Sequence, residues 1–94
     1  MDHEQTIYQV TLACTGVPPE LGPQGAIDIT EEFIHRPWHQ NVRCEWDGTA
    51  LILHAENDYD NEGKALMDEF SDSLCAYLES FDGDIEIRTI EVLG

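Results

Sequence analysis

One stretch in the middle of the chain has the residue types and spacing of a cation loop. Asp58-Tyr59-Asp60-Asn61-Glu62-Gly63, followed by Glu69, sets acids at loop positions one, three, five and twelve, with glycine at six. This is the spacing of an EF-hand calcium loop: alternate side chains converge on a hard cation, glycine permits the sharp turn, and the last glutamate binds bidentately. Three features oppose it. Glu62 is a methylene longer than the usual Asp or Asn, Ala65 stands where a larger apolar residue is usual, and the preceding segment reads as a strand rather than an entering helix. In the competing reading Asp58 or Asp60 caps a helix that begins just after them. Calcium held by Asp58, Asp60, Glu62 and Glu69 is therefore the alternative, and no cofactor is the first expectation.

Other constellations are weaker. His35 and His39 are four apart, which would put two imidazoles on one helix face for zinc, but Pro37 between them breaks that helix. His54 falls on the strand face opposite Cys44, so a Cys-His pair is not expected, and the histidines read as local surface polarity. Ser71, Ser73 and Ser80 have no histidine near them in sequence to act as a base. Twenty acids make carboxylate pairs inevitable, so no particular pair points to acid–base chemistry. The chain reads as more non-enzymatic than enzymatic, with a small enzyme of unspecified reaction as an alternative. Trp46 belongs to a core face, whereas Trp38 has no evident core partner and reads as a lid over a small core or an interface anchor.

Charge narrows the partners. Twenty Asp and Glu face four basic residues (Arg36, Arg43, Lys64 and Arg88) for a formal charge of −16. Such a surface repels phosphate backbones and anionic lipid, which argues against nucleic-acid and membrane partners. A basic protein partner is the remaining expectation, met by an acidic helix face of Glu62, Asp68, Glu69, Asp72 and Glu79. Asp68 and Asp72 repel at four-residue spacing, and Glu79 lies near the negative end of the helix dipole. Adaptation of the surface to a salty cytoplasm is the bland alternative.

The elements that position these residues are read from periodicity. Gln5 to Cys14 alternates, with Tyr8, Val10, Leu12 and Cys14 on one face of a half-buried strand. Gly16, Pro18, Pro19, Gly22, Pro23 and Gly25 then mark a loop. Residues 27–38 are open to two readings: one or two helical turns with Asp28 and Glu31 as a capping box and an end before Pro37, which is favoured, or a strand carrying Ile27, Ile29 and Phe33. Val42 to Trp46, Asp47-Gly48 and Thr49 to Glu56 form a hairpin on a two-residue turn, pairing Trp46 with Thr49, Cys44 with Leu51 and Val42 with Leu53. From Asp60 to Phe81, Leu66, Met67, Phe70, Leu74, Tyr77, Leu78 and Phe81 make a helical stripe that ends before Gly83. The last segment, Asp84 to Leu93, slips phase near Arg88-Thr89, the mark of a bulge.

Strand, short helix, hairpin, long helix, strand is the βαββαβ order of a ferredoxin-like sandwich. The expected fold is a single α+β domain over residues 1–94: a small antiparallel sheet of about four strands, one long helix on one face and a degenerate first helix. Cys14, Cys44 and Cys75 are odd in number, widely spaced and at apolar positions, so reduced, core-facing thiols in a cytoplasmic protein are expected. The acidic start of the chain does not read as a signal peptide, and no apolar run approaches the ~20 residues needed to span a bilayer.

Overall fold

Alternating and helical stretches fold into a four-strand antiparallel sheet with two helices. The computed structural model describes residues 6–60, 62–77 and 83–93. Strand β1 (Tyr8–Thr15) leads through a 3₁₀ turn (Pro19–Leu21) into helix α1 (Gly22–Ile34). The hairpin of β2 (Gln40–Trp46) and β3 (Leu51–Asn57) follows, then α2 (Lys64–Tyr77) and β4 (Asp84–Val92). The strand order is β2-β3-β1-β4, and every neighbouring pair is antiparallel. Strands β1 and β2 therefore run parallel on either side of β3, joined through α1. Likewise β3 and β4 flank β1 and are joined through α2. Parallel strands need such crossovers, so each helix is a topological requirement as well as a cover.

The core is one cluster. Val10, Leu12 and Cys14 of β1 and Leu51, Leu53 and Ala55 of β3 meet Ala26, Ile29 and Phe33 of α1 and Leu66, Phe70 and Leu74 of α2. Both helices thus share one sheet face. Along α2, Met67 packs at the edge of this cluster, while Leu78, Phe81 and the Tyr77 side chain lie outside the described residues.

Three sequence expectations need correction. The first helix is not degenerate: α1 has 13 residues and starts inside the segment read as a loop. Pro23 falls in the first turn, where its missing N–H costs nothing. Gly22 and Gly25 are buried because β2 and β3 pass close by: a Cβ at Gly22 would fall within the Trp46 indole, and one at Gly25 would lie 3.5 Å from Leu51 Cδ1. The residues that looked like breakers serve close packing.

The hairpin register is also displaced. Trp46 pairs with Leu51 and Cys44 with Leu53, so the connection has four residues, Asp47 to Ala50. Asp47 Oδ1 accepts from Thr49 N and Ala50 N, each at 2.8 Å, and holds the longer turn. A shift of two keeps side-chain parity, and the inward face is unchanged. Third, Cys75 is exposed and Cys44 half-buried; of the three thiols, Cys14 alone is fully in the core.

The phase slip in β4 is a bulge. Thr11 pairs with Thr89 and Leu12 with Ile87, which leaves Arg88 as the extra residue. It rephases the strand so that Ile85, Ile87, Ile90 and Val92 stand opposite Cys14, Leu12, Val10 and Tyr8. The β2–β3 pairing is also irregular between Gln40 and Arg43, with Asn41 at φ 51°. Both edge strands are thus interrupted, a feature that discourages strand addition. Among the described residues no helix is long and apolar enough to cross a membrane.

Candidate functional site

The end of the sheet where β2 begins and β3 ends gathers the polar and aromatic residues that the core does not use. Helix α1 stops at its C-terminus, with His35 N donating to Glu32 O at 3.2 Å and Arg36 N to Phe33 O at 3.0 Å. The chain then turns through Pro37 and presents Arg36, Trp38 and His39 to the start of α2.

Asn57, the last residue of β3, organises the other side. Its Oδ1 accepts from Tyr59 N at 3.1 Å and Asp60 N at 2.7 Å. The amide is thereby oriented, and its Nδ2 donates to His39 Nδ1 across 3.4 Å. With Nδ1 accepting, the ring proton sits on Nε2, which donates to Glu69 Oε1 at 3.2 Å. Glu69 accepts twice more, from Arg36 Nη1 at 3.1 Å and, on Oε2, from Trp38 Nε1 at 3.2 Å. Arg36 Nη2 donates to Glu32 Oε2 at 3.1 Å, and the guanidinium lies 5.1 Å from the Phe33 ring centre. One carboxylate thus ties α2 to the α1–β2 connection.

Chemically, His39 is a joint rather than a base. Its side chain is fully buried and both ring nitrogens are engaged. Phe33, Trp38 and Tyr59 surround the ring at centroid separations of 5.7, 6.1 and 6.2 Å. The expectation of surface polarity fails for this histidine, whereas His35 is exposed as expected. Nothing in local spacing announces the site, because Glu69 stands thirty residues beyond His39. The available hint is the density of ring and charged residues in Arg36-Pro37-Trp38-His39.

The four residues of the expected calcium loop, Asp58, Asp60, Glu62 and Glu69, make different contacts. Asp60 is buried and accepts from Ala65 N at 3.1 Å and Leu66 N at 2.9 Å, capping α2. Glu69 turns to Arg36, Trp38 and His39; Glu62 lies 3.3 Å from Lys64 Nζ; Asp58 is exposed beside a groove. Among the described residues no three His, Cys, Asp or Glu side chains come together to hold a metal ion.

The candidate partner face is likewise divided. Asp68 and Asp72 are exposed on α2, as is Glu62 just before it, but Glu69 is half-buried in the network, and Glu79 lies outside the described residues. Asp68 borders a groove of about 290 Å³ with Met67, Ser71, Gly83, Asp84 and Ile85.

The surface of the aromatic end is open. Trp38 is 49% and Tyr59 48% exposed. A groove of about 260 Å³ is lined by Ile7, Pro37, Trp38, Gln40, Asn57 and Asp58. Burial, and then the charges of Glu69, Asp60 and Asp58, push the Tyr59 phenol above its ordinary value, so it keeps its proton. On the far sheet face, His54 lies 3.2 Å from Thr11 Oγ1 and 3.3 Å from Glu45, and Glu56 accepts from Gln9 and Asn41. Burial pushes the Cys14 and Cys44 thiols up to about 12, with Asp84 adding to the first and Cys14 and Glu45 to the second. Neither is a nucleophile at neutral pH.

Comparison of the chain with protein families, with curated protein sequences and with solved structures finds no match.

Proposed function

We propose that this chain is a small acidic interaction domain, built on a ferredoxin-like sandwich and acting in the cytoplasm, that binds a basic protein partner without chemistry of its own. The strand order and the two interleaved crossovers support the fold assignment. One observation carries the functional reading: every Lys and Arg is already paired within the chain. Arg36 meets Glu32 and Glu69, Arg43 meets Glu45, Lys64 meets Glu62 and Arg88 meets Glu86, all within 3.4 Å. The charge of −16 is therefore not offset by any separate basic patch. It speeds encounter with a cationic surface and disfavours anionic ones. Trp38 and Tyr59 stand beside the start of α2, and Asp72 follows Glu69 by about one turn, so aromatic anchors adjoin the acidic face.

Urea unfolding of the isolated chain from 50 mM to 2 M KCl, paired with capture of basic proteins at each salt, tests this reading. A domain already folded at moderate salt, whose captured partner is weakened by Asp68→Asn with Asp72→Asn, is the expected result. A chain unfolded below molar salt, with no partner retained at any ionic strength, would mean that the acidity serves salt tolerance.

A further inference from the structure

We propose that the groove between Trp38 and Asp58 seats an arginine side chain of the basic partner. The inference rests on the interaction reading and adds the residue type that the domain selects. The Trp38 indole is held by its Nε1–H bond to Glu69 Oε2 at 3.2 Å, yet half of the residue remains exposed. Its ring is thus oriented before any partner arrives, and little order is lost on stacking. Pro37 and Ile7 extend the apolar wall, and a carboxylate residue, Asp58, and an amide residue, Gln40, are part of the lining. Asn57 lines the groove as well, its amide bonded to Tyr59 N, Asp60 N and His39.

A flat apolar wall with a carboxylate beside it suits a guanidinium better than an ammonium. Guanidinium stacks on an indole face, is weakly hydrated and presents several N–H donors in one plane to a carboxylate and an amide oxygen. A lysine ammonium is a strongly hydrated point charge and would leave the indole face less well covered. An anionic occupant is disfavoured by Asp58 in the lining, with Asp60 and Glu69 close behind it. The half-exposed Tyr59, its ring centre 6.2 Å from that of His39, offers a second aromatic surface for residues that flank the arginine.

The probe is a short acetylated, amidated peptide with one arginine among neutral residues, compared with its lysine and citrulline counterparts. Each is titrated into the ¹⁵N-labelled full chain at fixed ionic strength. The expected result is a saturable shift of the Trp38 Nε1–H and Gln40 side-chain amide signals with arginine, weaker with lysine and absent with citrulline. Asp58→Asn should weaken the arginine peptide about tenfold, the loss of one charge-assisted contact. Glu91→Gln, on the exposed far sheet face, makes the same change in net charge and should leave affinity nearly unaltered. Trp38→Leu should abolish the saturable response, with a dispersed spectrum showing that the fold survives. Equal weakening by Asp58→Asn and Glu91→Gln, or shifts spread over all acidic faces, would overturn the groove while leaving the interaction reading intact. Equal affinity for arginine and lysine would overturn the guanidinium preference. Failure of every cationic peptide, together with failure to retain any basic protein, would overturn both.

Discussion

Strand β3 begins and ends in a connection built on an aspartate, and the two connections use the same chemistry to different depth. At its start Asp47 is exposed, and its three side-chain bonds reach only Thr49 and Ala50. At its end Asp60 is buried, and its bonds to Ala65 N and Leu66 N belong to a chain that runs through Asn57, His39 and Glu69 to α1 and its exit. In both, a carboxylate accepts two backbone N–H groups. The first closes a turn that water could also satisfy. The second removes polar groups from water, so each partner that is lost strands another.

The contrast is broken most forcefully at the buried end. Asp60→Ala leaves Ala65 N and Leu66 N without their acceptor, and a loss of about 2–3 kcal/mol in urea unfolding is expected. A loss no larger than that from Asp47→Ala would remove the distinction between the two connections.

A second change asks whether the hairpin end depends on packing instead of on its aspartate. Gly22→Ala drives a methyl into the Trp46 indole, and overpacking of this kind costs about 1–2 kcal/mol. Combining it with Trp46→Leu should give less than the sum of the separate losses, because the smaller side chain vacates the space. Additive losses would mean that Gly22 is needed for backbone conformation and not for close approach.

The smallest effect is electrostatic. The N–H groups of Thr49, then of Ala50, hold the Asp47 carboxyl below its ordinary 3.8. Its contribution is fully present above the unfolded carboxylate range and is lost as pH falls through the lower folded value. Asp47→Asn should therefore lower the urea midpoint slightly at pH 6, and the difference from the parent should vanish towards pH 2. A difference that persists in acid would trace the effect to turn geometry and not to charge.

Legibility follows the same division. The bulge at Arg88 was visible because two pairs of β-branched residues change parity within one strand, a purely local pattern. The hairpin was visible, but its turn length was not: Asp-Gly fits a two-residue turn, while Asp47 Oδ1 stabilises a longer one with the same parity. The first helix was hidden because glycine in a sequence signals conformational freedom and carries no mark of the indole that will lie against it. His39 was misread for a related reason, since its partners Asn57 and Glu69 are eighteen and thirty residues away.

By itself, the order of residues determined an α+β fold with a small antiparallel sheet of four strands, the inward faces of β1 and β3, the apolar positions Leu66, Phe70 and Leu74 of α2 and the unbalanced negative charge. Each of these follows from periodicity or a sum along the chain, quantities that need no knowledge of what lies across the core. Only the tertiary structure decided that Glu69 faces Arg36, Trp38 and His39 instead of solvent. A carboxylate goes where donors need an acceptor, the buried His39 ring above all, and these donors reach Glu69 only after α1, β3 and α2 have packed at one end of the sheet.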